Sequence, residues 1–272
     1  MNPLKSLKPS QPERDDAPGN FRKRQVEKLV RFLRLTFLEI FSNRKIEDVL
    51  NDEASIRKLV ADISIEEYIS ILGTINSVLR NKPKEEFGSL DGEGVRMGNL
   101  DIFPRQEDKV ELLEKSLIGA KKMITQNRST EDVAILLSGL VTAIHPFVDG
   151  NGRTAKTLLI LLMKGFNEPV MKTILSDNNN YSNLVNSSDL AWMASSVLED
   201  SFVPSEKFKN FEEYFNSWEF KKRQVELMIE IIVNENDYTV ESVDGSEIST
   251  RFTVYRESLE DYGTFSNFRK LM

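Results

Sequence analysis

The sequence predicts a mainly α-helical bundle that carries one short β-hairpin and a C-terminal extension with a second hairpin. Apolar residues recur at helical spacing through most of the chain. A glycine-rich stretch interrupts that pattern. A nine-residue run at 145–153, which we call the polar run because it holds most of the charged and amide side chains of that region, lies between two strongly apolar segments. We divide the chain into a mobile tail at residues 1–20, a helical domain at 21–200 and an extension at 201–272.

Helical patterns account for most of the N-terminal part of the domain. Apolar positions in residues 21–41 repeat every three or four residues and predict one helix. Residues 56–79 predict one or two more. Ser64 and Glu67 have the spacing of a capping box, in which each residue's side chain bonds the other's backbone N–H, so a helix is expected to begin there.

Glycine is concentrated in residues 88–104, which we name the flap, and no stable helix is expected there. Two short alternating runs, 95–97 and 100–103, flank Gly98 and Asn99. A Gly-Asn pair between such runs is typical of a tight turn, so the flap is predicted to contain a small β-hairpin.

Three helices are predicted around the polar run. The first follows Pro104, and its apolar face is assigned to Val110, Leu113, Leu117, Ile118 and Ile124. The second covers residues 131–144 after a cap formed by Ser129 and Asp132, and the third covers 154–166. Both are apolar nearly all round, which predicts that they lie in the centre of the bundle.

The extension combines helix and strand signals. Residues 208–218 and 225–233 predict helices. Residues 238–243 and 248–255 are rich in β-branched and aromatic side chains on either side of an Asp-Gly pair, which predicts the second hairpin. An accessory element that docks on the bundle and an appendage that recognises a target both fit this pattern.

Composition excludes several classes of function. The chain has no cysteine, so it has neither disulfides nor thiolate metal sites, and its single histidine argues against structural zinc. A net charge of −7 without a basic stripe argues against a nucleic-acid partner. No apolar stretch reaches the ~18 residues of a membrane span. The tail lacks the apolar segment of a signal peptide, so the expected location is the cytoplasm, or outside after export without a cleavable signal.

The only histidine, His145, opens the run His-Pro-Phe-Val-Asp-Gly-Asn-Gly-Arg, which ends at Arg153 and leads into a helix. The first N–H groups of a helix are unpaired and attract anions, and Gly150 and Gly152 let a ligand approach the backbone closely. Arg153 adds a guanidinium suited to phosphate, and Asp149 offers an oxygen ligand for Mg²⁺. An imidazole with a pKa near 6.5 can accept a hydroxyl proton. Each residue alone also fits a structural role, and only their joint order favours function.

The run resembles the signature of Fic-domain proteins (Fic/Doc-like protein adenylyltransferases), His-Pro-Phe-x-(Asp/Glu)-Gly-Asn-(Gly/Lys)-Arg, at every specified position. The flap, followed by a proline and an amphipathic helix, is similar to the same elements of that family. The similarity extends over about residues 62–200. It implies a Fic-type helical bundle that transfers AMP from ATP to a Ser, Thr or Tyr hydroxyl of a target protein.

The resemblance implies that His145 is the general base and that Asp149 holds Mg²⁺. The residues implied to bind the phosphates of ATP are Gly150, Asn151, Gly152, Arg153 and Lys156. The family commonly has a second arginine where this chain has Lys156. Lysine keeps the charge but loses the two-pronged contact, so the terminal phosphate is expected to be held more loosely and the choice of nucleotide is less certain.

The resemblance assigns two further contacts outside the run. Tyr181 lies where the family often has an aromatic residue near adenine, and a tyrosine that packs between helices is an equally good interpretation. Met97, Leu100 and Ile102 of the flap are implied to pair with an extended segment of the target, which adds a strand through main-chain hydrogen bonds.

Alternative functions and modes of regulation remain open. The transferred group could be UMP, phosphocholine or phosphate, or the chain could be a non-catalytic binding module with this fold. The family's self-inhibitory pattern, (Ser/Thr)-x-x-x-Glu-(Gly/Asn), matches residues 89–94 of the flap, where a helix is not expected. Residues 43–48 and 253–258 match it imperfectly. A separate inhibitor protein and self-modification are also compatible with the family.

Overall fold

The computed structural model describes residues 18–41, 44–82, 90, 96–97, 100–101, 103–166, 171 and 188–234, and it is mainly helical as predicted. The helices are α1 (Pro18–Ile40), α2 (Ile46–Val49), α3 (Glu53–Asp62), α4 (Ile65–Leu79), α5 (Gln106–Thr125), α6 (Thr130–Ile144), α7 (Asn151–Lys164), α8 (Ser188–Asp200), α9 (Phe211–Phe215) and α10 (Trp218–Val233). In this part of the chain no helix is long and apolar enough to cross a membrane.

Two strands of two residues each, β1 (Arg96–Met97) and β2 (Leu100–Asp101), pair in antiparallel register. Arg96 lies opposite Asp101, and Met97 lies opposite Leu100. The predicted turn at 98–99 and most of the flap lie outside the described residues. The flap as a functional element therefore stays a prediction.

Side-chain caps set the starts of the helices that support the site. Ser64 accepts a hydrogen bond from the Glu67 N–H at 3.2 Å, and Glu67 accepts one from the Ser64 N–H at 2.7 Å, so the predicted capping box is present. Ser129 caps α6 by accepting the Asp132 N–H at 3.1 Å. Such a cap stabilises a helix by about 1 kcal/mol.

Helix α6 lies at the centre of the bundle, as its uniformly apolar sequence predicts. It packs against α3, α5, α7 and α10, and α7 in turn packs against α4. Every residue of α6 from Asp132 to Val141 is buried. The motif at 145–153 connects α6 with α7, so the candidate site is attached to the central helix and the neighbour that it contacts most extensively.

The predicted apolar face of α5 is wrong at two positions. Val110 is 48% exposed and Ile118 is 59% exposed, whereas Lys109 is fully buried. The buried stripe instead follows Leu112, Leu113 and their neighbours one and two turns later. A lysine therefore occupies a core-facing position at the start of this helix, which hydrophobic spacing alone could not reveal.

Helix boundaries differ from the prediction at three further places. The single helix predicted over 208–218 is wrong, because α9 ends at Phe215 and the Ser217 hydroxyl caps the new helix α10 by accepting the Phe220 N–H at 3.2 Å. Helix α7 begins at Asn151, three residues before its predicted start at 154, so the end of the motif is the first turn of a helix. Helix α1 begins at Pro18, inside the predicted tail. The predicted second hairpin at 238–255 lies outside the described residues.

Candidate functional site

His145 is the C-cap of helix α6, the residue directly after its last helical residue, Ile144. Its backbone has φ 55° and ψ 57°, the left-handed region, and its N–H donates to the Val141 carbonyl at 3.2 Å. A residue before proline avoids the helical region, so Pro146 favours a break here. The left-handed conformation costs a residue with a side chain about 1–2 kcal/mol. The imidazole therefore projects from a strained position that the surrounding structure must hold in place.

Four neighbouring residues act on the His145 imidazole, through ring stacking, charge or a hydrogen bond. The Phe103 ring stacks on it with centroids 3.9 Å apart and an angle of 18° between the planes. Burial lowers the pKa of His145, and the charge of Lys109 lowers it further. A hydrogen bond with the Thr142 backbone and the charge of Asp149 act in the opposite direction. The net effect lowers the pKa of His145, which favours the neutral imidazole, the form that can accept a proton.

The loop after His145 is held by one residue of α7. The Asn151 side chain accepts the Phe147 N–H at 3.0 Å and donates to the Phe147 carbonyl at 2.7 Å. Phe147 itself is fully buried, and burial of such a ring contributes about 1.5–3 kcal/mol. The buried Asn151 side chain thus serves the loop, while its backbone N–H lies at the start of α7, where the sequence predicts the anion pocket.

Asn76 of α4 supports the turn from the opposite side. Its side-chain nitrogen donates to the Asp149 carbonyl at 2.8 Å and to the Thr154 hydroxyl at 3.2 Å. Gly150 adopts φ 81°, and a Cβ atom there would lie 2.9 Å from that same nitrogen. Glycine is therefore required at Gly150 by both its backbone angle and its neighbour.

Replacing Gly150 with alanine is expected to lower the free energy of unfolding by about 1–3 kcal/mol, through left-handed strain and the contact with Asn76. Gly152→Ala is the matched control, because Gly152 is helical and a Cβ there meets nothing within 4 Å. That variant should be neutral or stabilised by up to about 1 kcal/mol. Thermal melting followed by circular dichroism measures both, and equal melting temperatures would contradict this account of the turn.

The first turn of α7 presents unpaired donors. The first backbone bond of the helix runs from the Thr154 N–H to the Gly150 carbonyl at 2.9 Å. The N–H groups of Asn151, Gly152 and Arg153 form no hydrogen bond with any residue that the structure describes. These groups lie at the positive end of the helix dipole, where an anion is stabilised.

Asp149 and Arg153 form an exposed pair beside these donors. The Arg153 Nη2 atom donates to Asp149 Oδ2 at 3.1 Å, and its Nη1 donates to the Leu79 carbonyl at 3.2 Å. The Asp149 side chain is 69% exposed. No cluster of three acidic or histidine ligands occurs among residues the structure describes. One accessible carboxylate still fits Mg²⁺, because that ion usually takes one or two carboxylates and completes its shell with substrate phosphates and water.

The remaining predicted residues have different outcomes. Lys156 lies on α7 and is half-buried, burial lowers its pKa, and it has no ion pair with any residue in the described ranges. Met97 and Leu100 lie in the two short strands. Tyr181 and Ile102 lie outside the described residues, so their predicted contacts with adenine and target stay predictions.

Sequence reasoning missed three residues that contact the motif. Phe103 stacks on His145, Asn76 bonds the turn, and the Lys109 ammonium donates to the His145 carbonyl at 2.8 Å. Asn76 could have been noticed as a polar residue on an otherwise apolar helix, since buried polar groups need partners. Lys109 and Phe103 have no comparable sequence signal. Phe103 precedes helix α5 and Lys109 lies in its first turn, and the direction in which their side chains point depends on how α5 packs against the bundle.

The glutamate of one imperfect self-inhibitory match is engaged elsewhere. Glu47 lies in α2 and pairs with Arg34 at 2.7 Å. Residue 43, residues 89 and 91–94, and the match at 253–258 are outside the described residues. Inhibition by a segment of this chain therefore stays a prediction.

Known proteins share sequence with the part of the chain that contains the site. The sequence model of the Fic/DOC family matches residues 13–163 of this chain. This range begins and ends earlier than residues 62–200, the range over which the motifs alone indicate similarity. A Fido domain-containing protein of Dictyostelium discoideum is 34% identical over 88 residues, which are 30% of this chain and 62% of that relative. The chain thus spans less than two thirds of the relative's length. No solved structure matches. Because the family match includes the site and covers more than half of the chain, the chain belongs to the Fic/DOC family.

Proposed function

We propose that this protein is a Mg²⁺-dependent adenylyltransferase that moves AMP from ATP to a Ser, Thr or Tyr hydroxyl of a target protein. The observation that carries the proposal is the position of a half-buried imidazole in the same nine-residue motif as three helix N–H groups that have no hydrogen-bond partner among the described residues. A base and an anion-binding helix end are the two parts that transfer from a nucleotide requires.

His145 has the properties of the base. One of its ring nitrogens is engaged with the Thr142 backbone, which leaves the other to accept the hydroxyl proton. The hydroxyl oxygen then attacks the α-phosphorus of ATP, the bond from that phosphorus to the bridging oxygen breaks, and pyrophosphate leaves. Phe103 restricts rotation of the imidazole and so reduces the entropy lost on reaching the reactive geometry.

The start of α7 has the properties of the phosphate site. Backbone N–H groups of Asn151, Gly152 and Arg153 would bind phosphate oxygens. Arg153 has five donors and uses two in the contacts described above, so it can also bind a phosphate oxygen. Lys156 would receive from the nucleotide the negative partner that it lacks among the described residues.

Asp149 would hold Mg²⁺ together with the phosphates. When bound, the ion neutralises charge that develops on the phosphate oxygens. The roles of Tyr181 at adenine, and of Met97, Leu100 and Ile102 in binding an extended target segment, belong to the same proposal.

Transfer of UMP, phosphocholine or phosphate, and a binding module without catalysis, are the competing functions. To distinguish these functions, the protein is incubated with Mg²⁺ and ATP labelled at either the α- or the γ-phosphate. The first measurement is the label that the protein attaches to itself. We expect the α label alone to become protein-bound, with an intact-mass gain of one AMP group. Transfer of the γ label would identify a kinase. Label transfer from UTP or a choline nucleotide but not from ATP would contradict adenylyl transfer.

A further inference from the structure

We propose that Lys109 is a positioning residue for His145: its buried ammonium group holds the His145 carbonyl and so fixes the left-handed backbone from which the imidazole projects. The inference rests on the proposed role of His145 as the base. It assigns to helix α5 a part in the site that the motif at 145–153 does not contain.

Burial of Lys109 requires an explanation. It is one of the largest fully buried side chains, with no exposed surface. An ammonium group that leaves water loses several kcal/mol of hydration unless hydrogen bonds replace it. The side chain crosses from α5 to the end of α6, where its Nζ atom donates to the His145 carbonyl at 2.8 Å.

The place of this contact suits a cation. Helix α6 ends at Ile144, so the Lys109 ammonium lies at the negative end of the central helix. The bond is made to the backbone of the strained residue itself, not to its side chain. A fixed donor on that carbonyl opposes relaxation of His145 toward an ordinary backbone conformation, which would swing the imidazole away from Phe103.

The charge of Lys109 also acts on the imidazole. Among the described residues, the charges that change the pKa of His145 are those of Lys109, which lowers it, and Asp149, which raises it. Removal of the ammonium charge should therefore raise the pKa of His145. The base would then become protonated at a higher pH, and transfer activity would begin to fall at a higher pH as the solution is acidified.

Lys121 offers a matched control on the same helix. Its Nζ atom donates at 2.7 Å to the carbonyl of Ile63, the residue at which α3 ends. Both lysines therefore extend from α5 to the carbonyl at the end of another helix, but only Lys109 contacts the base. If the lysines by which α5 reaches neighbouring helices serve only to join those helices, Lys109→Met and Lys121→Met should behave alike.

The experiment compares the wild type with Lys109→Met, Lys109→Gln and Lys121→Met. Since the chain has one histidine, the imidazole gives a single set of proton and carbon NMR signals whose titration reports its pKa without any substrate. We expect both Lys109 variants to raise that pKa and Lys121→Met to leave it unchanged. In the transfer assay, Lys109→Met should lower kcat by about 10- to 100-fold with little change in KM for ATP.

The outcomes separate this inference from the proposed function. A raised His145 pKa together with a kcat loss confined to the Lys109 variants supports the positioning role. An unchanged pKa, or losses equal to those of Lys121→Met, would overturn it. Lys109→Gln retains a donor and tests the role if Lys109→Met does not fold. If neither folds, Lys109 is only a structural residue and the inference fails. Absence of AMP transfer in the wild type would refute the proposed function while the titration still tests the contact.

Discussion

Substitution of His145 is expected to lower the rate of AMP transfer by about 10²- to 10⁴-fold, because the attacking hydroxyl loses its general base. Two variants make the result specific. His145→Ala removes the imidazole but places alanine at φ 55°, so part of any loss could come from strain. His145→Asn removes the base with a residue that tolerates the left-handed region.

Both variants should be inactive, while His145→Asn should melt close to the wild type. Initial rates of transfer of the α label, together with calorimetric ATP binding, provide the measurement. Binding of ATP is expected to persist, since the donors proposed for its phosphates lie at the start of α7 rather than on the imidazole. A His145→Asn variant that keeps more than about one tenth of the wild-type rate would exclude the imidazole as the base.

Gly165→Ala is expected to cause a large loss of stability, about 4 kcal/mol. Gly165 ends helix α7 with φ 69° and ψ −164°, a combination that is nearly restricted to glycine. A Cβ atom there would overlap the backbone oxygen of Leu50. That oxygen also accepts the Phe166 N–H at 3.0 Å, so it cannot move away without breaking the bond.

Gly139→Ala is the control for Gly165→Ala. Gly139 lies inside the buried helix α6, and a Cβ atom there meets nothing within 4 Å. Alanine should therefore stabilise α6 by up to about 1 kcal/mol. Denaturant unfolding at neutral pH measures both changes. If Gly165→Ala unfolds at the same denaturant concentration as Gly139→Ala, the close approach of Gly165 to Leu50 is not present in solution.

The sequence predicts those elements whose signals are local. The cap at Ser64 and the central position of α6 follow from side chains near one another in the chain, and both are confirmed. The boundary between α9 and α10 was missed, because a serine cap within an aromatic-rich segment competes with continuous helical spacing. The spacing of apolar residues alone cannot decide whether the helix continues through Ser217 or a new helix begins there.

The candidate site shows the same difference between local signals, which the sequence reveals, and distant contacts, which it does not. Its chemistry is readable from the motif, because His145, Asp149 and Arg153 are adjacent in sequence. Its support is not readable, because Asn76 and Lys109 come from helices that precede the motif by dozens of residues. The apolar, core-facing side assigned to α5 is wrong at Val110 and Ile118 for the same reason: the rotation of a helix about its axis is decided by its neighbours.

The support of the motif by α4 and α5 ties reactivity to completion of the tertiary structure. A chain whose α4 and α5 have not yet docked lacks the Asn76 and Lys109 bonds that shape the loop and hold the histidine. Under the proposed function, such a chain would carry every motif residue and still lack transfer activity, so activity would arise only when the bundle is fully folded.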